Sequence, residues 1–145
     1  MSDGLGRTAG FDRKEIPIPT LAEELYSKSL ALKKYSASDL LYERKRTVLL
    51  NDLQTNQQIV FRILGALKDD MSYSSEYYDL AVFMCRSLFE CTYYLASKKK
   101  NYRRTVWRYV HGFHNLPRAF LPLDSRARVS VKDAMNYYAS YLNAE

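Results

Sequence analysis

The sequence predicts an all-α fold, an antiparallel bundle of four to five helices that follows an extended N-terminal arm. The chain has 145 residues, 47% of them hydrophobic, which is the usual size of one domain and enough to bury a core. The four prolines stand at positions 17, 19, 117 and 122, so the long middle contains no helix breaker. Hydrophobic residues recur there at spacings of three and four, which is typical of helices that bury one face.

The first nineteen residues, MSDGLGRTAGFDRKEIPIP, are predicted to form the arm, and residues 20–145 a single domain. The arm holds three of the five glycines and two of the four prolines, and it has little hydrophobic periodicity. Thr20 and Glu23 have the spacing of a capping box, in which each side chain bonds a backbone amide near the other residue. A first helix is therefore predicted over residues 21–35.

A second, longer helix is predicted from a cap at Ser36 or Ser38 to about Asp69, because leucine and valine recur through it at helical spacing. The polar segment DDMSYSSEYYD is predicted to be a turn, with Ser74 or Ser75 capping a third helix. This third helix has the clearest hydrophobic stripe in the chain and is predicted to be the central one. Its stripe consists of Tyr77, Leu80, Met84, Leu88, Cys91 and Leu95.

The opposite side of the third helix mixes apolar and charged residues. Val82, Phe83 and Phe89 share it with Arg86 and Glu90. We therefore expect this helix to be covered on both sides. Arg86 and Glu90 stand four residues apart, the spacing at which opposite charges pair on a helix.

A fourth helical stretch follows the lysines at positions 98–100. Gly112 and Pro117 limit its length, and the segment NLPRAFLPLDSRAR after it is predicted to be a loop. Ser130 is predicted to cap a last helix over residues 131–143. The expected inner faces are Tyr102, Val106, Tyr109, Val110 and Phe113 in the fourth helix, and Val131, Ala134, Met135, Tyr138 and Leu142 in the last.

Several functional classes find no support in the sequence. Cys85 and Cys91 would project about 240° apart on a helix, which suits neither a disulfide nor a shared metal, and favours a reducing compartment. His111 and His114 lack the neighbouring carboxylates of a metal site. There is no glycine-rich phosphate loop and no nucleophile elbow, and no apolar run approaches the roughly 20 residues of a membrane span. We expect a cytoplasmic protein without metal or cofactor.

Tyrosine is abundant, with thirteen residues, and it falls in pairs at positions 77–78, 93–94 and 137–138. A tyrosine has a large apolar body and a polar tip, so the pairs are expected at helix edges, half buried and half in water. The alternative is that some of them form a partner surface or stack on unpaired bases.

The formal net charge is +6, and it is unevenly placed. Between Lys98 and Lys132 the chain has ten basic residues against one acidic residue, Asp124. A smaller basic cluster occupies positions 44–46. Such surfaces attract phosphates or an acidic protein surface, with an affinity that falls as salt rises, although many charge runs are solvated faces without a ligand.

The stretch RTVWRYVH, with six residues between Arg104 and His111, resembles the Arg–His motif of HEPN domains; RYVHGFH offers a second such pair, Arg108 and His114. HEPN domains are small helical bundles of prokaryotic defence and toxin–antitoxin systems. In their ribonuclease members the Arg and His of two protomers meet and cleave RNA without a metal. The resemblance implies a homodimer in which Arg104 holds the phosphate and His111 moves a proton.

The leading hypothesis from the sequence is nevertheless binding rather than catalysis. The protein is expected to bind the backbone of RNA or single-stranded DNA, and to be a small subunit of a larger ribonucleoprotein or defence complex. The alternatives are the HEPN-type ribonuclease and a structural adaptor that binds another protein. The candidate binding residues are Lys98, Lys99, Lys100, Arg103, Arg104, Trp107, Arg108, Arg126 and Arg128.

Overall fold

The computed structural model describes residues 16–97, 103–121 and 129–143. Within these ranges the chain is a bundle of five α-helices with no strand, which confirms the predicted fold class. Residues 1–15, most of the predicted arm, lie outside the described ranges. The α-helices are α1 (Ile18–Leu30), α2 (Glu43–Asp69), α3 (Ser75–Ser97), α4 (Arg103–Gly112) and α5 (Val131–Asn143), and the 3₁₀ helices are Ala31–Lys34, Ala37–Leu41 and Phe113–Phe120.

Helix α1 begins at Ile18, three residues before the predicted start, and the predicted capping box does not form there. Pro17 is the N-cap residue, and no side chain caps this end. Prolines are tolerated at this position because the first amides of a helix have no intrahelical partner. Ile18 is buried in the core at 3% exposure, so packing of this side chain extends the helix beyond the boundary that the capping pattern predicts.

Two short 3₁₀ helices, Ala31–Lys34 and Ala37–Leu41, separate α1 from α2. The sequence predicts two long helices that nearly meet at this point. Ser36 is a cap, as predicted, but it caps the short 3₁₀ helix Ala37–Leu41 through a capping box with Asp39. Leu32 and Tyr35 are both buried. Their three-residue spacing matches the 3₁₀ period rather than the α period, because a 3₁₀ turn brings residues i and i+3 to the same side.

Helices α2 and α3 form an antiparallel hairpin and the largest helix contact of the bundle. The end of α2 at Asp69 and the start of α3 at Ser75 agree with the prediction. The predicted stripe of α3 faces the core, since all its members are buried except Tyr77, which is half-buried. These helices make the central layer of the molecule.

The expectation that α3 is covered on both sides is wrong. Val82 is 38% exposed and Phe89 is 61% exposed. Helix α5 reaches α3 only along one edge, where Phe83 packs against Tyr138 at 5.5 Å between ring centroids. Within the described ranges Glu90 does not pair with Arg86, because its carboxylate accepts a 2.7 Å hydrogen bond from the Tyr109 hydroxyl of α4.

The first part of the predicted loop is a buried 3₁₀ helix, Phe113–Phe120, which contains Pro117 and packs against α1. Phe113, Leu116 and Ala119 are buried and stand three residues apart, so they lie on one side of a 3₁₀ turn. Residues 122–128 of that loop lie outside the described ranges. The α-helix ends at Gly112, within the limits predicted from Gly112 and Pro117, but the chain stays in the core.

Helix α5 begins as predicted, since the Ser130 hydroxyl accepts a 3.1 Å hydrogen bond from the amide of Asp133. Tyr138 on this helix is fully buried, whereas the paired tyrosines were expected to be half in water. Its hydroxyl donates to the Tyr109 carbonyl at 3.1 Å. This bond supplies the partner that a buried phenol needs.

Two further expectations can be compared with the described residues. Cys91 is buried, Cys85 is half-buried and both are free thiols, as predicted. None of the described helices is long and apolar enough to cross a membrane.

Candidate nucleic-acid interface on helix α4

Four of the nine predicted binding residues lie on α4 within the described ranges: Arg103, Arg104, Trp107 and Arg108. The other five lie outside these ranges, so their placement stays a prediction. They are Lys98, Lys99, Lys100, Arg126 and Arg128.

The orientation of α4 is set by its apolar face. Val106 and Val110 are 1% exposed and pack in the core. On the other side of the helix Arg104 is exposed, and Arg103 and Arg108 are half-buried. Apolar packing therefore directs the charged half of the helix away from the core, as the spacing of its residues predicts.

The charge on α4 is entirely positive. Its sequence, RRTVWRYVHG, contains no acidic residue, and its first turn begins with two arginines. Cations at a helix N-terminus oppose the helix dipole instead of complementing it. Arg103 and Arg104 form no ion pair with any residue of the described ranges.

Arg108 lies beside the tyrosines of α5. Its charge opposes the rise in the pKa of Tyr141, which is raised mainly by burial and then by the neighbouring Tyr137. Tyr137 and Tyr141 are neighbours, with ring centroids 6.2 Å apart, and Tyr137 is 46% exposed. An arginine and an exposed aromatic ring therefore occur together where α4 meets α5.

Trp107 and His111 lie on the opposite flank of α4, against the segment that follows α1. The two rings stack at 4.7 Å between centroids and 31° between planes, and Trp107 packs partly on the core. The Nε2 of His111 bonds the backbone carbonyl of Tyr35. Because a carbonyl only accepts, Nε2 must carry the proton, and His111 joins two parts of the chain that are far apart in sequence.

His114 has a different environment from His111, because it lies in the 3₁₀ helix Phe113–Phe120. Burial, together with the nearby positive charges of Lys33 and Arg118, lowers its pKa below the ordinary value of 6.5. Its Nδ1 atom is buried without a hydrogen-bond partner among the described residues. No group of three metal-ligating side chains occurs in the described part of the chain.

Arg118 is structural, although it belongs to the basic C-terminal third. Its guanidinium donates to the Tyr26 hydroxyl at 2.7 Å and lies over the same ring, 5.1 Å from the centroid. Charge counting along the sequence cannot separate such an arginine from one that faces water, because both have the same residue type and similar neighbours.

The fold also places a basic groove beside α4 that sequence reasoning did not identify as a site. The groove has a volume of about 310 Å³, and it adjoins α4 at Tyr35, the residue whose carbonyl His111 binds. The cluster at positions 44–46 is the signal for it in the sequence. The lining residues are Lys34, Tyr35, Asp39, Arg44, Lys45 and Val48.

Comparisons of the chain with protein-family models, with curated proteins and with solved structures gave no match.

Proposed function

We propose that the protein binds the phosphate backbone of nucleic acid through α4, and that it acts by binding rather than by catalysis. The observation that carries this proposal is the pair Arg103 and Arg104, placed at the start of a helix without acidic residues and without ion-pair partners in the described ranges. Phosphate oxygens are the ligands that such unpaired arginines bind best.

The tyrosines of α5 support a single-stranded ligand. Unpaired bases stack on exposed aromatic rings, while nearby cations hold the backbone. Tyr141 lies near Arg108, and its ring neighbours that of the exposed Tyr137, so this part of the surface supplies the combination. In this proposal the protein is a subunit that binds RNA or single-stranded DNA within a larger ribonucleoprotein or defence complex.

The ribonuclease role implied by the HEPN resemblance receives less support from the geometry. A proton-transfer histidine needs a nitrogen directed at the substrate. The Nε2 of His111 is bonded to Tyr35, and its ring stacks on Trp107, so this side chain has a structural task within the chain.

The adaptor role has one specific observation in its favour. The outer face of α3 exposes Phe89 at 61% and Tyr93 at 64%, and aromatic residues are enriched in protein interfaces. This candidate differs from the first in needing no nucleic acid.

The test of the proposal is the salt dependence of binding to fluorescently labelled single-stranded RNA, single-stranded DNA and duplex. Replacing both arginines, Arg103→Gln with Arg104→Gln, should weaken binding and lower the slope of log K against log salt by about 0.7 for each lost phosphate contact on a single strand. The matched control is Lys28→Gln with Lys68→Gln, which removes the same charge from exposed positions on α1 and α2. Urea unfolding of each variant checks that the fold is intact.

The proposal is wrong if the arginine pair and the lysine pair weaken binding equally, since the effect is then one of net charge. It is also wrong if wild-type protein shows no affinity for any of the three nucleic acids at about 150 mM salt, which would favour the adaptor. Gel analysis of the same RNA checks for cleavage. Cleavage that His111→Ala abolishes would favour the ribonuclease instead.

A further inference from the structure

The groove beside α4 has an excess of positive charge. Three of its lining residues are basic, and Asp39 is the one acidic residue among them. It is formed by three short segments: the end of the 3₁₀ helix Ala31–Lys34, the 3₁₀ helix Ala37–Leu41 and the first turns of α2. These segments approach one another only in the folded chain.

The carboxylate among the groove residues already accepts hydrogen bonds within the protein. Asp39 accepts a 2.8 Å hydrogen bond from the Lys45 ammonium and another 2.8 Å bond from the amide of Ser36. The bond from Lys45, followed by that from Ser36, holds the pKa of Asp39 below its usual range. Asp39 therefore stays ionised and neutralises Lys45, and it is not free to compete for the other two cations.

Those two cations, Arg44 and Lys34, are exposed, and the Lys34 ammonium lies over the Tyr35 ring, 5.2 Å from its centroid. Arg44 is exposed and forms no ion pair with any residue of the described ranges. The Lys34 ammonium lies 4.0 Å from Asp52 with 60% of its side chain exposed, and Asp52 also accepts a 2.9 Å bond from the Tyr35 hydroxyl. Such an exposed, long pair contributes little to stability.

The basic residues of the groove also lower the stability of the helix that carries them. Arg44, Lys45 and Arg46 all fall in the first turns of α2, whose N-cap residue Tyr42 makes no side-chain cap. Cations at this end oppose the helix dipole. Glu43 in the same turn has the charge that complements the dipole, and Arg46 donates to the Leu40 carbonyl at 2.7 Å, whereas Arg44 makes no compensating contact with the described residues.

An exposed aromatic ring stands at the edge of the groove. Tyr42 is 61% exposed, and it is the N-cap residue of α2, between the groove residues Asp39 and Arg44. A basic groove with an aromatic ring at its edge has the two elements of a site for single-stranded nucleic acid.

The groove adjoins α4. Tyr35 lines the groove, and its carbonyl accepts a hydrogen bond from His111 of α4. The groove therefore meets α4 on the flank of His111 and Trp107, and a strand that contacts both the groove and the arginines of α4 has to pass over this flank.

We propose that this groove is a second contact for the same nucleic-acid strand, in which Arg44 and Lys34 hold a phosphate and Tyr42 stacks on an unpaired base. The proposal rests on the proposed nucleic-acid function, and it adds that the ligand is single-stranded at this position. A duplex keeps its bases paired and offers none to Tyr42.

The experiment measures binding of labelled single-stranded RNA of about 12 nucleotides, and of a duplex of equal length, to two groove variants. Tyr42→Ala should weaken single-strand binding by roughly 5- to 150-fold, the effect of losing one stacked aromatic residue, and should leave duplex binding unchanged. Arg44→Gln should lower the single-strand salt slope by about 0.7. Tyr93→Ala removes a tyrosine of similar exposure on α3, and Lys68→Gln removes a charge about 36 Å away along α2; both serve as controls.

The possible outcomes separate this proposal from the proposed function. If the pair Arg103→Gln with Arg104→Gln weakens binding while both groove variants behave like their controls, the groove is not a contact and the α4 function stands. If the groove variants weaken binding and the α4 pair does not, the groove is a nucleic-acid site and the α4 proposal is wrong. Equal losses of single-strand and duplex affinity in Tyr42→Ala would contradict base stacking.

A further arm distinguishes a strand from a free phosphate compound. Inorganic phosphate and a mononucleotide are each added as competitors of the labelled RNA. If these compounds compete only weakly, at millimolar concentration, the result supports a site that binds one phosphate as part of a strand. Displacement at micromolar concentration would overturn the proposal, because it would identify a site for the small molecule itself.

Discussion

His111 and His114 stand three residues apart in the sequence but have different roles in the fold. His111 donates its Nε2 proton to Tyr35 and stacks on Trp107. His114 lies in the 3₁₀ helix that follows, with a buried and unpartnered Nδ1. The sequence pairs Arg104 with His111 through their spacing, but no local pattern shows that a carbonyl far away in the chain would bind this imidazole.

The environment of His114 predicts a pH dependence of stability. Burial and nearby cations lower its pKa in the folded protein below the ordinary value of 6.5. The unfolded chain therefore takes up the proton first as pH falls. The stabilising contribution of the neutral ring is full above the unfolded pKa and is lost as pH falls through the folded pKa.

The measurement is the free energy of unfolding in urea above and below the ordinary histidine pKa of about 6.5. Wild type should lose more stability on acidification than His114→Gln, which cannot be protonated. The other ionisable side chains are the same in both proteins, so the difference between the two losses reports on His114. Equal losses in the two proteins would contradict this account of His114.

At the scale of elements, helix ends were predictable where a polar side chain caps them and less so where core packing extends them. Helix α5 starts at the predicted Ser130 cap, and α3 starts at Ser75, the position predicted from the serines. The start of α1 does not follow the Thr20 and Glu23 signal, because Ile18 gains more from burial in the core than the capping box would contribute. Local bonds contribute about 1 kcal/mol each, and a fully buried isoleucine contributes about 2 kcal/mol.

The cap of α5 provides a test at this scale. Ser130→Ala removes the acceptor of the Asp133 amide and should lower the free energy of unfolding by about 1 kcal/mol. Ser140 is exposed on the same helix, and Ser140→Ala should change stability little or raise it by a few tenths of a kcal/mol, because alanine favours the helix interior. Urea unfolding of both variants is the measurement, and equal changes would show that the Ser130 cap has no energetic role.

The 3₁₀ helix Phe113–Phe120 shows why one element was missed. Its proline and its polar residues are typical of a loop, and a search for the α period does not detect residues that repeat every three positions. The buried series Phe113, Leu116 and Ala119 shows the period in retrospect. Contact with α1 stabilises an element that is rarely stable by itself.

At the scale of the whole molecule, Tyr138 marks the point where three parts of the bundle meet. Its ring packs against Phe83 of α3 at 5.5 Å and against Phe113 at 5.8 Å, both edge to face, and its hydroxyl bonds the Tyr109 carbonyl of α4. A β-carbon on Gly112 would lie 2.9 Å from this ring. The glycine is required here by close packing and not by an unusual backbone angle.

This junction predicts a large difference between two neighbouring tyrosines. Tyr138→Ala should destabilise the fold by about 3–5 kcal/mol, the usual cost of removing a buried aromatic ring, and Tyr138→Phe by about 1 kcal/mol for the lost hydrogen bond. Tyr137→Ala, at an exposed position, should change stability by about 0.5 kcal/mol or less. Urea unfolding measures all three, and similar losses for the two alanine variants would contradict the burial of Tyr138.

The sequence by itself determined the all-α class, the central stripe of α3, the cap at Ser130 and the outward arginines of α4, because each depends on neighbours within three or four residues. The tertiary structure decided which polar and basic side chains are held by contacts within the fold. It joined Tyr35 to His111 and bound Arg118 to Tyr26. These contacts join segments that are remote in the sequence, and they form because the helices must bury their apolar faces against one another.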